Sequence, residues 1–322
     1  MAKFIVTGGA GFIGCNLAMA LNARGEDDIL IADDLNHPLK ERHLSLVRHS
    51  GYIDKRELRQ ALRGGAHADC TAVFHLGACS STTETDEAYL ADNNTAYTRE
   101  LAEWCLAGGR RFIYASSAST YGAGEQGYSD DESLIPSLRP LNLYGKSKQA
   151  FDMIALENGW LKKIVGLKFF NVFGPYEDHK GSMRSVIHKA FGEIGTTGTL
   201  KLFKSYRPEY EDGGQRRDFV YVKDVVAQML WFHDHPEANG IFNCGTGSAR
   251  SWLDLGRAVF AAMGVPEHIE FIEMPETLRA HYQYFTEAEM GKARAVGFTR
   301  PFSSLEDAAA DYVRNYLAKG LC

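Results

Sequence analysis

Residues 4–14 read FIVTGGAGFIG. Phe4-Ile5-Val6 is a short apolar run of strand character, and residues 12–24 carry a helical pattern. Between them Gly8, Gly11 and Gly14 recur at every third position. Glycine admits the tight turn and lets the backbone approach a pyrophosphate. The start of the following helix offers unpaired N–H groups and a positive dipole end to the same anion. Nineteen residues after Gly14, Asp33 closes a second apolar run, DILIAD (28–33). An acid at that spacing suits an adenosine ribose, and favours a dinucleotide site over a plain strand-to-helix turn. Asp34 adds a charge that favours NAD, whereas Lys40, Arg42 and Lys55 offer cations to the 2′-phosphate of NADP. The residues alone leave that choice open.

Further along, TAVFHLGA (71–78), RRFIYASS (110–117) and KIVGLKFFN (163–171) repeat the apolar strand pattern. Leu90, Asn94, Tyr97, Leu101 and Trp104 intervene at helical spacing. Strands that are apolar throughout, alternating with helices, imply an α/β fold: a doubly wound parallel sheet covered on both faces. The predicted division is a dinucleotide-binding domain over 1–170, with 216–245 returning to it through DFVYV (218–222) and GIFNCG (240–245). A smaller C-terminal α/β substrate lobe takes 171–215 and 246–322, with helices near 251–263 and 303–319 and an isolated strand IEFIEM.

The chemistry is carried by Tyr144-Gly-Lys-Ser-Lys148. On a helix, positions i and i+4 share a face. A Lys148 ammonium beside the Tyr144 phenol is expected to lower its pKa from about 10 toward neutrality. The phenolate can then accept an alcohol proton while hydride leaves to a nicotinamide. Ser117, ending a strand, can bind the same substrate oxygen.

The other features narrow the class. The 322 residues carry a net charge of −6, and 45% are hydrophobic. No global positive field favours nucleic acid or an anionic membrane, and no run of about 18 apolar residues is present. Six cysteines without a CxxC pair read as reduced thiols, so a cytoplasmic protein is expected. His37, His43 and His49 are spaced by six, which scatters them around a helix as surface histidines, and no metal site is expected.

TGGAGFIG, FHLGA, YASSASTYG, YGKSK and RDFVYVKDV together resemble the blocks of the extended short-chain dehydrogenase/reductases. HLGACSSTTETD (75–86), PLNLYGKSK (140–148), FFNVFGPYEDHKGSM (169–183) and HYQYFTEAEM (281–290) resemble more closely its ADP-L-glycero-D-manno-heptose 6-epimerase family. That resemblance implies a homo-oligomer, typically a pentamer, that inverts C6 of an ADP-heptose for lipopolysaccharide core synthesis. NADP is the implied cofactor, NAD the lesser candidate. Gly8, Gly11, Phe12, Ile13, Gly14, Asp33, Asp34, Lys40, Lys55, Leu76, Gly77, Ala78, Cys79, Ser80, Asn93, Lys148, Val172 and Lys180 are the implied cofactor contacts. Ser117, Tyr144, Lys148 and Lys180 are the implied catalytic group, and Ser117, Asn171, Ser182, Lys189, Phe203, Arg217 and Tyr282 the implied substrate contacts.

Four departures stand out. Asp34 occupies a usual Asn position, Leu76 a usual Glu position, Lys189 a usual His position, and residues 204–216 form a longer loop. A nucleotide-sugar dehydratase would place carboxylates just after Ser117, where Ala118-Ser119-Thr120-Tyr121 stands instead. A UDP-hexose 4-epimerase would leave Lys180 without a role. A non-catalytic dinucleotide sensor would be expected to lack Tyr144 or Lys148.

Overall fold

The computed structural model describes residues 3–279 and 282–321. Seven strands build the central sheet: β1 (Phe4–Thr7), β2 (Ile29–Asp33), β3 (Gly51–Asp54), β4 (Ala72–His75), β5 (Arg111–Ser117), β6 (Val165–Phe169) and, much later in the chain, Gly240–Cys244. Their order is Gly240–Cys244, β6, β5, β4, β1, β2, β3, and every neighbouring pair is parallel. The order reverses between β1 and β4. A doubly wound sheet binds ligands in the crevice beyond the carboxyl ends of the strands at that switch point.

The central strands are apolar on both sides because helices cover both faces. One face packs Phe4, Val6, Ile31, Phe74 and Leu167 against the helix Phe12–Ala23 and the helix Val222–Asp234. The other packs Ile5, Val73, Phe112 and Tyr114 against the helices Tyr97–Ala107 and Leu143–Glu157. A separate cluster holds the C-terminal part together, with Ile187, Leu255, Phe260 and Tyr312 among its members.

Six further short strands pair outside the large sheet. β7 (Asn171–Phe173) runs parallel to Phe219–Tyr221, Arg216–Arg217 pairs antiparallel with Arg250–Ser251, and Leu200–Phe203 runs parallel to Ile269–Ile272. This differs from the expected layout in two ways. DFVYV pairs with β7 and not with the main sheet, so only Gly240–Cys244 of that region joins it. IEFIEM is not isolated, since Leu200–Phe203 supplies its partner from 69 residues upstream. Such pairings between distant segments leave no trace in local periodicity.

The histidines near the second strand also differ from expectation. His43 is fully buried and its Nδ1 lies 3.0 Å from the Ala10 carbonyl oxygen, bracing the glycine turn. His37 caps the helix Pro38–Ser45 by accepting from the Leu39 amide. Among the described residues no cluster of His, Cys, Asp or Glu has the arrangement of a metal site. No helix among them is long and apolar enough to cross a membrane.

Candidate active site

The glycine turn between β1 and the helix Phe12–Ala23 forms the floor of a cavity of about 340 Å³. Gly8 has φ +65°, and a Cβ there would lie 2.7 Å from the Gly77 amide nitrogen. A Cβ on Gly14 would lie 2.0 Å from the Gly8 carbonyl oxygen. No side chain fits at either place, so the backbone itself faces the cavity. The helix begins at Gly11 without a side-chain cap. Its first N–H groups are therefore left to an anion from the cavity. This is the surface that a dinucleotide pyrophosphate requires, and the residues fit such a cofactor.

Of the residues expected to touch the cofactor, all but Val172 line this one cavity. Asp33 accepts from the Ala10 amide at 2.9 Å, which ties β2 to the turn. Lys40 and Lys55 both reach Asp34, at 2.6 and 2.8 Å. The Gly77–Ser80 wall is held from behind. Asn94 accepts from the Cys79 amide at 2.8 Å and donates to the Cys79 carbonyl at 3.0 Å. Asn93 and Asn94 point inward from a single turn of π-helix, Ala91–Ala96, a widening often found at functional sites.

A second cavity of about 310 Å³ adjoins the first. Ser117, Asn171, Val172, Arg184, Trp252 and Leu255 line it, and Tyr144, Lys180, Ser80, Phe12, Ile13 and Phe169 belong to both cavities. Tyr144 and Lys180 thus stand at the seam. Tyr144 lies in the first turn of the helix Leu143–Glu157, whose start Asn142 caps by accepting from the Gly145 amide at 2.8 Å. Lys148 sits one turn on and donates to the Ala115 carbonyl at 2.9 Å.

Burial pushes the Tyr144 phenol above its ordinary pKa, and a hydrogen bond with Ser117 pulls it part of the way back. The expected depression by Lys148 is therefore not what the protein alone produces. The phenol is desolvated, and the Lys148 ammonium is turned to a carbonyl. Lys148 itself is held down to about 8 by burial. The cost of that buried ammonium is present in full below about pH 8 and is relieved as pH rises toward 10.5. Lys148→Met removes the titrating group. Its stability advantage over the wild type should shrink across that window when urea midpoints are compared on either side of it. A pH-independent difference would show that the amine is not depressed.

Lys180 is carried by a tight turn, Asp178–Met183, that follows a strained backbone. Tyr176 has φ +72°, rare for a residue with a side chain and costing on the order of 1–3 kcal/mol. Glu177 fixes the turn: its buried carboxylate accepts from the Ser185 amide and hydroxyl, each at 2.6 Å, and from the Tyr312 hydroxyl at 3.0 Å. The Lys180 ammonium lies 5.1 Å from the centre of the Phe12 ring, and burial lowers its pKa, with Glu177 opposing. A lowered pKa makes the ammonium a readier proton donor.

Arg217 is 7% exposed. It packs between Trp252 and Tyr282, 5.8 and 5.4 Å from their ring centres, and Phe203 packs edge-on against Tyr282. Among the described residues its guanidinium has no carboxylate partner, and its one hydrogen bond goes to the Arg216 carbonyl. A buried cation without a counter-charge is costly, and an anionic ligand supplies one.

Six expected contacts fall elsewhere: Phe203 and Arg217 line neither cavity, Tyr282 lines a separate one with Tyr128, Leu141 and Gln283, and the other three are Val172, Ser182 and Lys189. Val172 faces the second cavity, not the dinucleotide cavity. Ser182 is exposed on the Lys180 turn and lines neither. Lys189 lies on an outer groove with Asp178, Arg184 and His188. The helix Val186–Thr197 turns Ile187 and Ala190 into the core, which points Lys189 outward. Conversely, His179 lines the dinucleotide cavity unforeseen, its imidazole held down to about 3 by burial. The resemblance points to its neighbour Lys180, but nothing in the spacing marks His179.

Residues 4–245 match the NAD dependent epimerase/dehydratase family. The chain is 51% identical to an ADP-L-glycero-D-manno-heptose-6-epimerase of Nitratidesulfovibrio vulgaris, over 98% of both chains. In fold it is similar to the Helicobacter pylori ADP-L-glycero-D-manno-heptose-6-epimerase, with TM-score 0.79, 25% identity and 97% and 95% of the two chains covered. A Thermus thermophilus UDP-glucose 4-epimerase in complex with NAD is also similar, with TM-score 0.74, 26% identity and 96% and 97% covered. The chain belongs to the NAD dependent epimerase/dehydratase family, on its ADP-L-glycero-D-manno-heptose-6-epimerase branch.

Proposed function

We propose that this protein inverts C6 of ADP-D-glycero-D-manno-heptose to give the L-glycero epimer, working in the cytoplasm as a homo-oligomer that supplies lipopolysaccharide core synthesis. The placement of both Tyr144 and Lys180 on the seam between the two cavities carries this reading. The glycine turn and Lys148 would hold a nicotinamide dinucleotide, which would supply hydride acceptance and return at C6. C6 lies outside the sugar ring, so inversion requires the ketone to rotate and present its other face. Rotation swings the oxygen to a new place, and proton transfer needs contact at about 2.6–3.2 Å. Tyr144, hydrogen-bonded with Ser117, serves one position of the oxygen, and Lys180 serves the other. A UDP-hexose 4-epimerase leaves Lys180 without such a role, and the 51% identity to a heptose epimerase exceeds the 26% to a 4-epimerase. Loss of inversion at C6 in Tyr144→Phe and in Lys180→Met, followed by NMR, tests the reaction.

NADP is the proposed cofactor, because Lys40 and Lys55 both stand on the cavity wall beside Asp33. NADP should bind more tightly than NAD, and Lys40→Ala should narrow the gap. Each charge-assisted contact to the 2′-phosphate contributes about 1.5–3 kcal/mol before solvent screening. Equal dissociation constants, or tighter NAD, would refute the preference.

Arg217 is proposed to anchor the substrate diphosphate. Arg217→Ala should raise KM for the ADP-sugar about tenfold or more, the effect of losing one charged hydrogen bond or more. Thermal stability should hold or rise, because a buried cation without a carboxylate partner is removed. An unaltered KM would refute the assignment.

A further inference from the structure

His43 lies between the two turns that build the site. On one side its Nδ1 meets the Ala10 carbonyl of the glycine turn at 3.0 Å. A carbonyl only accepts, so Nδ1 carries the proton and the bond fixes the ring. On the other side the ring meets the segment that leads into Lys180. The Tyr176 ring lies 5.5 Å away at 69° and the His179 ring 5.3 Å away at 78°, both edge-to-face and within the range where aromatic rings attract. Tyr176 and His179 bracket Glu177 and Asp178, and Lys180 follows His179 directly. His37, at the cap of the helix Pro38–Ser45 that carries His43, adds a further contact to the His179 ring at 6.5 Å. That helix packs against the turn Asp178–Met183. His43 is fully buried and lines neither cavity of the site.

The contact suits neutral rings. Lys40, Lys180 and His37 face His179, while Arg42 and His37 face His43 with Asp178 opposing. Burial, more than these charges, holds both imidazoles below their ordinary pKa. Two uncharged rings therefore pack beside the Lys180 ammonium without adding a cation to it.

We propose that His43 is a positioning residue for Lys180, passing the fixed geometry of the glycine turn to the Lys180 turn through its ring contacts with Tyr176 and His179. This rests on the reading that Lys180 moves a proton during inversion. The ammonium is then held 5.1 Å from the Phe12 ring centre, at the seam of the two cavities, by a side chain that touches neither substrate nor dinucleotide.

The test compares wild type, His43→Asn, His43→Leu, His43→Phe and Lys180→Met. C6 inversion of ADP-D-glycero-D-manno-heptose gives kcat and KM, titration with NAD and NADP gives dissociation constants, and thermal melting verifies folding. His43→Asn keeps an N–H donor for Ala10 and loses the ring. It should lower kcat about tenfold or more while KM and both dissociation constants stay within about threefold, the mark of a misplaced reacting group. His43→Leu and His43→Phe both lose the donor, so this pair isolates the ring and decides the matter if His43→Asn does not fold. The Leu variant should fall about tenfold or more below the Phe variant in kcat. An unchanged kcat in His43→Asn, or a fall matched by an equal loss of dinucleotide affinity, overturns the proposal; the second result makes His43 a brace of the glycine turn alone. Equal kcat in the Leu and Phe variants overturns it too, because ring contact then carries nothing. If Lys180→Met keeps most of the rate, the reading of Lys180 fails and the proposal falls with it.

Discussion

Tyr144→Phe and Lys180→Met are each expected to abolish inversion at C6 while the fold and dinucleotide binding survive. The Phe variant keeps the ring that lines both cavities and removes only the proton-bearing oxygen. The Met variant keeps the apolar stem against Phe12 and removes only the amine. General acid–base groups contribute about 10²–10⁴-fold in rate, so either loss should exceed a hundredfold. The two losses should not multiply in the double variant, because each single change already blocks a full inversion. Proton NMR of the C6 signals measures the rate, and dinucleotide titration measures the cavity. If Lys180→Met keeps most of the rate, the two-group mechanism is wrong and Lys180 serves only as a clamp.

The largest stability effect is expected beneath the catalytic helix, at Asp152. This carboxylate is fully buried. It accepts from the Tyr114 hydroxyl at 2.8 Å, the Ser116 hydroxyl at 2.7 Å and the Lys168 ammonium at 3.2 Å. Lys168, also buried, donates to Thr120 at 2.5 Å. The network ties β5 and β6 to the helix that carries Tyr144 and Lys148. Asp152→Ala strands the Lys168 ammonium and leaves two hydroxyls without their acceptor. Breaking a buried pair in this way costs about 3–5 kcal/mol. Urea denaturation should show that loss in the midpoint with an unchanged slope. The double change Asp152→Leu with Lys168→Met should recover much of it, since no charge is then left unpaired. A loss under about 1 kcal/mol for Asp152→Ala would mean that water or a shifted side chain satisfies Lys168, at odds with the burial seen here.

The parts of this protein legible in its sequence are those set by neighbours in the chain. Phe4-Ile5-Val6 followed by glycines at 8, 11 and 14 needs only local geometry, and Tyr144 with Lys148 needs only the pitch of one helix. What stayed hidden depends on distant partners. The pairing of Ile269–Ile272 with Leu200–Phe203, the burial of His43 under Ala10, and the role of Asp152 between Tyr114 and Lys168 each join segments far apart. The π-turn at Ala91–Ala96 has no sequence period to announce it. The spacing shows an ammonium near the Tyr144 phenol but not the burial that raises its pKa. Lys189, Ser182, Phe203, Arg217 and Tyr282 lie outside the two site cavities because motif alignment places a residue along the chain but not on a face of its helix, strand or turn.

The most direct measurement incubates the purified protein with ADP-D-glycero-D-manno-heptose and follows the configuration at C6 by NMR, with UDP-glucose as the parallel substrate. The expected result is conversion to the L-glycero epimer, no change in UDP-glucose, and loss of conversion in both Tyr144→Phe and Lys180→Met. An unchanged ADP-heptose beside inversion at C4 of UDP-glucose would contradict the assignment and place the protein among the hexose 4-epimerases.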